Sequence, residues 1–89
     1  MIRLRVIFRG HVQGVYFRAT AERIARDFAV GGFVLNEADG SVLLVAEGER
    51  DEVERFVRAV HAAKAANVRS VIRHEEAPSG EFREFTTRR

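Results

Sequence analysis

Residues 31–48 read GGFVLNEADGSVLLVAEG. Two apolar runs, Phe33–Leu35 and Val42–Ala46, flank a polar stretch. Within it, Asp39-Gly40 is a strong hairpin signal, because glycine tolerates the positive φ that such turns demand. The stretch predicts two strands, FVLN and SVLLVAEG, joined by the NEADGS turn. Working outward, Phe17, Ala21, Ile24 and Phe28 recur at helical spacing, with Thr20 and Ala25 flanking the stripe. Residues 18 to 29 are therefore predicted to form a helix, with Gly31 and Gly32 read as its stop. On its far face Glu22 precedes Arg26 by four residues, the favourable order for an ion pair. On the other side of the hairpin, ERDEVERFVRAVHAAKA predicts a second helix with Val53, Phe56, Val57 and Val60 as its apolar stripe. Asp51 and Glu52 fall in its first turn, where the helix dipole favours acidic groups.

Farther out, IRLRVIFR alternates: Ile2, Leu4, Val6 and Phe8 share one face, and Arg3, Arg5, Ile7 and Arg9 the other, as in a half-buried strand. NVRSVIRHEE predicts a fourth strand, APSGE a turn and FREFTT a short final strand. The order β-α-β-β-α-β, with an extra strand at the end, is the split βαβ or ferredoxin-like pattern. An α+β sandwich is expected, with an antiparallel sheet of four or five strands and both helices on one face. Residues 1–89 read as one domain without a linker.

Composition excludes several kinds of chemistry. Eighty-nine residues, 46% hydrophobic and 31% charged, fit one ordinary soluble globular domain. The apolar stretches fall short of the ~20 residues that span a bilayer. MIRLRVIFRG alternates arginine with apolar residues and so lacks the continuous core of a signal peptide. The chain reads as mature and cytoplasmic. The absence of cysteine removes disulfides, thiolate nucleophiles and thiolate metal sites. His11, His61 and His74 lie far apart without ligand spacing, so no metal is expected. The net charge is +2 and mixed along the chain, which gives no nucleic-acid footprint. Lys64 is the only lysine among fifteen Lys and Arg. Arginine is the better fork for phosphate or carboxylate, although a genomic preference for arginine codons is the simpler cause.

FRGHVQGVYFR, residues 8–18, joins the first strand to the first helix. The first N–H groups of a helix have no partner within it, and together with the helix dipole they favour an anion there. Gly10 and Gly14 let the loop curl so that successive N–H groups form a nest, and Arg18 can swing its guanidinium over the same spot. The loop is not a Walker A loop, because the Lys-Ser/Thr pair is missing. The same residues also fit a tight βα connection in which Gln13 and Arg18 are solvated and Tyr16 and Phe17 pack. Asn36, just before a hairpin turn, fits an Asx-turn.

GHVQGVYFR resembles the signature of the acylphosphatase family: a glycine, V-Q-G-V, one variable residue, then F-R. GGFVLNEADGSVLLVAEG resembles the family's second signature, with Gly32, Phe33, Val34, Asn36, Asp39, Gly40, Val42 and Gly48 at matching positions. The resemblance is strong over residues 3 to 60 and weaker afterwards. It implies a ferredoxin-like sandwich that hydrolyses the carboxyl–phosphate anhydride of small acyl phosphates, without metal, cofactor or covalent intermediate. It assigns catalysis to Arg18 and Asn36. Arg18 and the loop amides of Val12, Gln13, Gly14, Val15, Tyr16 and Phe17 would bind the phosphoryl group, and Asn36 would position the attacking water. The implied partners are a small-molecule acyl phosphate and inorganic phosphate, with no nucleic acid and no membrane, and the protein is expected to be a monomer. Acetyl phosphate, carbamoyl phosphate and bisphosphoglycerate are all admissible substrates.

Several positions depart from the family pattern. Phe33 stands where many members have Trp, Leu35 where a cation is frequent, and Ala38 where Pro often precedes Asp-Gly. AAKAANVRSV lacks a Gly-Pro common between the second helix and fourth strand. Arg88-Arg89 stand where an aromatic residue often sits. None touches Arg18 or Asn36, so they bear on rate and substrate preference more than on reaction type. His11 is at a variable position and is read as a surface residue. A phosphate-sensing or interaction domain of the same fold, without turnover, is the alternative. RNA binding on the sheet would need an aromatic-rich strand motif that is not present.

Overall fold

The computed structural model describes residues Met1–Arg89. Seven elements follow one another: β1 (Ile2–Gly10), α1 (Phe17–Ala25), β2 (Val30–Asn36), β3 (Val42–Gly48), α2 (Arg50–Ala63), β4 (Val68–Glu76) and β5 (Phe85–Arg88). The strands form one sheet in the order β4-β1-β3-β2-β5. This is the ferredoxin-like α+β arrangement that the element order predicts. The alternation in β1 holds: Ile2, Leu4, Val6 and Phe8 are buried under the helices with Val34, Val42, Leu44 and Ala46. Phe17, Ala21 and Ala25 of α1 close the core from above, as do Val53, Phe56, Val57 and Val60 of α2. No helix is long and apolar enough to cross a membrane.

The sheet is mixed, whereas the sequence pattern predicted an antiparallel one. β5 runs parallel to β2, from Gly32↔Phe85 to Leu35↔Arg88, while every other pairing is antiparallel. The connection explains the direction. β4 lies at one edge, and the chain reverses and crosses the helix-free face to reach the other. Residues 77–84 make this crossing. There the Glu47 carboxylate accepts hydrogen bonds from Ser79 N (2.9 Å), Ser79 Oγ (2.8 Å) and Gly80 N (3.0 Å). Phe82 packs on Phe33, with ring centroids 5.7 Å apart, over a second small core of Phe33, Leu43 and Val45. β3 is therefore buried along both faces.

Three local expectations are corrected. α1 ends at Ala25, short of residue 29, because Arg26, Asp27 and Phe28 donate to carbonyls three residues back and tighten the last turn. Phe28 still packs against the core, which preserves the helical spacing beyond the helix. Gly31 and Gly32 do not stop a helix but lie within β2. At Gly32 φ is +141°, and a Cβ would sit 1.9 Å from the Val45 carbonyl oxygen, so the close approach of β3 requires glycine. Glu22 does not pair with Arg26 but accepts hydrogen bonds from Thr87 N (2.9 Å) and Thr87 Oγ1 (2.7 Å) on β5.

Candidate active site

The loop between β1 and α1 is held at its ends and by ties from its neighbours, while its inner amides stay free. Phe8 and Phe17 meet across its two ends as a tilted ring pair, with centroids 5.0 Å apart. Val12 is fully buried. His11 N donates to Asn67 O at 2.9 Å, with its side chain exposed. Gln13 Nε2 donates to the carbonyls of Glu37 (2.7 Å) and Ser41 (2.9 Å), binding the loop to the β2–β3 turn. Lys64 Nζ, at the end of α2, donates to Val15 O.

Within this frame the backbone alternates in handedness. Gly14 has φ +75° and Tyr16 φ +63°, while Val15 between them and the helical Phe17 keep negative φ. Such alternation turns successive N–H groups toward one concavity. Tyr16 is the only non-glycine residue with positive φ. That conformation costs an L-residue roughly 1–2 kcal/mol, and local packing gives Tyr16 no compensation because its side chain is 82% exposed. The N–H groups of residues 12–17 find no acceptor in the chain. Unpaired donors gathered at a helix N-terminus are an anion site by construction.

A cavity of about 520 Å³ opens on this concavity. It brings together Val12, Gly14, Tyr16, Phe17 and Arg18 from the loop side and Asn36 from the end of β2. Gln13 and Val15, also assigned to phosphate binding from the motif, do not line it. Gln13 uses its side chain and Val15 its carbonyl to fix the loop. Ala19, Glu22 and Thr87 also line the cavity, although the sequence assigned none of them to the site and read Glu22 only as a partner of Arg26. The placing of Glu22 four residues after Arg18, on the same helix face, was a usable signal. Thr87 offered none.

Arg18 is half-buried, and its Nη1 donates to Arg88 O at 3.0 Å. No carboxylate lies within ion-pair distance of it, unlike Arg3, Arg5, Arg50, Arg55 and Arg73. Its charge is left for whatever enters the cavity. The Asn36 side chain makes no hydrogen bond within the chain, so it does not form the Asx-turn its position allowed. Asp39 does that work, accepting from Ser41 N (2.9 Å) and Ser41 Oγ (2.6 Å). Those bonds, side chain first, hold the Asp39 carboxyl below its ordinary value. No three His, Asp or Glu side chains converge as a metal-ligand set.

Known proteins share both the sequence and the shape. A family model described as Acylphosphatase matches residues 4–87. The acylphosphatase of Roseiflexus sp. (strain RS-1) is 42% identical over 87 residues, covering 97% of this chain and 94% of that relative. That of Aeropyrum pernix is 41% identical over 90 residues, covering 99% and 89% respectively. The crystal structure of acylphosphatase from Bacillus subtilis matches with a TM-score of 0.88 at 29% identity, over 100% of both chains.

Proposed function

The chain belongs to the acylphosphatase family and hydrolyses acyl phosphates to a carboxylate and inorganic phosphate, and we propose that Arg18, Asn36 and the amides of the cavity-lining loop residues Val12, Gly14, Tyr16 and Phe17 carry that reaction. The observation that carries the assignment is the convergence on one cavity of a guanidinium without a carboxylate partner, a carboxamide without a hydrogen bond, and the loop residues Val12, Gly14, Tyr16 and Phe17, whose N–H groups have no acceptor in the chain. The amides and the Arg18 fork take the phosphoryl oxygens, the fork by parallel N–H···O bonds. The Asn36 carboxamide accepts a hydrogen bond from water and orients it toward phosphorus. It does so without acting as a base, because an amide does not titrate near neutral pH. Water oxygen bonds to phosphorus, the bond from phosphorus to the acyl oxygen breaks, and the carboxylate leaves with the electron pair. One water proton stays on phosphate and the other passes to solvent.

The leaving group removes the need for an acid. A carboxylate departs with a conjugate-acid pKa of about 4, whereas an alkoxide must be protonated. Positioning and electrostatics on the phosphoryl group are then sufficient. The reading takes residues 1–89 as one domain, working as a monomer in the cytoplasm.

Purified protein should hydrolyse benzoyl phosphate equally well with and without EDTA, and a simple alkyl phosphate negligibly. Arg18→Lys keeps the charge and loses the fork, which is expected to lower kcat by ~10²–10³. Retention of more than half the activity by Arg18→Lys would remove Arg18 from the mechanism. Comparable kcat/KM on the alkyl monoester, or loss of activity on chelation, would point to a missed acid or metal.

A further inference from the structure

Glu22 has no part in the chemistry just proposed, yet it lines the cavity that hosts it. It follows Arg18 by four residues on α1, so the two side chains rise from the same helix face. Its Oε2 is fixed by the two hydrogen bonds from Thr87. These bonds decide where the carboxylate sits but bring no positive charge. No Arg, Lys or His stands within ion-pair distance of Glu22. Arg18 is the only cation among the residues lining the cavity and Glu22 the only anion. The phosphoryl group draws on Arg18 and the nest of amides, which leaves the Glu22 charge uncompensated for the rest of a bound molecule.

We infer that Glu22 is a specificity-determining residue: the site favours acyl phosphates whose acyl group is neutral or cationic and disfavours those carrying a second carboxylate or phosphate. The inference rests on the reading of this cavity as the acyl-phosphate site. A second anion held in a cavity of this size lies within a Debye length of Glu22, so solvent ions screen the repulsion only in part. At the intermediate effective dielectric of a partly open site, such a repulsion lowers kcat/KM by about tenfold.

Three matched substrates test it: benzoyl phosphate, 3-carboxybenzoyl phosphate and 3-(aminomethyl)benzoyl phosphate, each rate taken relative to its own uncatalysed hydrolysis. The wild-type protein should prefer the neutral and cationic compounds to the carboxylated one by about tenfold, and less so at high salt. Glu22→Gln removes the charge while keeping an acceptor for Thr87, and it should bring the ratio close to one. Thr87→Val loosens the anchoring of Glu22 but keeps its charge, so the ratio should persist even if overall activity drops. Glu22 acting only as a tie to β5 would change all three rates together. A wild-type ratio near one, or a ratio unchanged in Glu22→Gln, overturns the inference and leaves the catalytic reading intact. No turnover of benzoyl phosphate, or full turnover by Arg18→Lys, overturns both.

Discussion

Two irregular stretches lead into elements that line the cavity, residues 11–16 before α1 and residues 77–84 before β5, and different forces hold them. The first is anchored by apolar packing: Val12 is fully buried, and Phe8 meets Phe17 across the loop's ends. Its polar ties, from Gln13 and Lys64, go to backbone carbonyls. The second is mostly exposed and hangs on one carboxylate, Glu47, and on a stack. Phe82 lies on Phe33, and the Arg88 guanidinium sits 3.8 Å above the Phe33 ring. Apolar burial does not respond to pH, and it responds little to a nearby charge. A carboxylate with three donors responds to both. On the proposed reading a substrate brings a multiply charged anion to the first stretch, whose anchors are mainly apolar. The charge-held stretch is set back, acting on the site through β5.

The largest expected effect lies on the rigid side. Gln13 binds the loop to Glu37 and Ser41, so Asn36, next to Glu37, belongs to the same frame as the amides. Its own side chain holds nothing in place. Asn36→Ala should lower kcat by ~10²–10³ while thermal stability and inorganic phosphate affinity, read by calorimetry, stay near wild type. A normal kcat with a raised KM would make Asn36 a binding residue instead.

A smaller effect is expected from Glu47→Gln on the other side. Burial opposes ionisation of Glu47, but hydrogen bonds from Ser79 and Gly80, with Arg3 nearby, outweigh it and leave the carboxyl below its ordinary value. A group depressed in the folded state adds stability above its unfolded pKa, and that stability vanishes as pH falls through the lowered value. Glu47→Gln should cost about 2 kcal/mol at neutral pH and progressively less as the medium is acidified below the ordinary carboxylate range. Urea melts across that range measure the convergence. An offset constant with pH would mean that packing, and not charge, holds residues 77–84.

The smallest change sharpens the contrast from within the loop. Tyr16→Gly relieves a left-handed conformation worth roughly 1–2 kcal/mol and pays back roughly 0.5–1 kcal/mol in unfolded-chain entropy. A net gain of between zero and about 1.5 kcal/mol in denaturant stability is expected. A clear loss would show that the exposed ring contributes packing that its surroundings do not reveal.

What could be read from the sequence divides along the same line. That Arg18, Asn36 and residues of the glycine-bracketed loop share one cavity was legible through the two signature-like stretches that contain them, since spacing alone fits a plain βα connection and an Asx-turn equally well. Glu22 was read as the partner of Arg26 because i,i+4 spacing reports only on its own helix. The competing donors came from Thr87, far along the chain. Gly31 and Gly32 were read as a helix stop because glycine at a left-handed cap and glycine under a close strand look alike in sequence. Only the Val45 carbonyl over Gly32 separates the two. The parallel β5 was not legible, since FREFTT says nothing of which strand it joins or from which side the chain arrives.

The bond from Arg18 to the Arg88 carbonyl joins residues 70 apart in sequence. Closing a long loop costs entropy before any contact repays it, and contacts of high sequence separation slow folding. The helices and the β2–β3 hairpin need only neighbours, whereas the contact that fixes Arg18, the proposed clamp on the phosphoryl group, needs β5 seated on β2. Catalytic competence on refolding can therefore return no faster than that edge of the sheet zips shut, which makes recovery of hydrolysis a clock for the last long-range closure in the molecule.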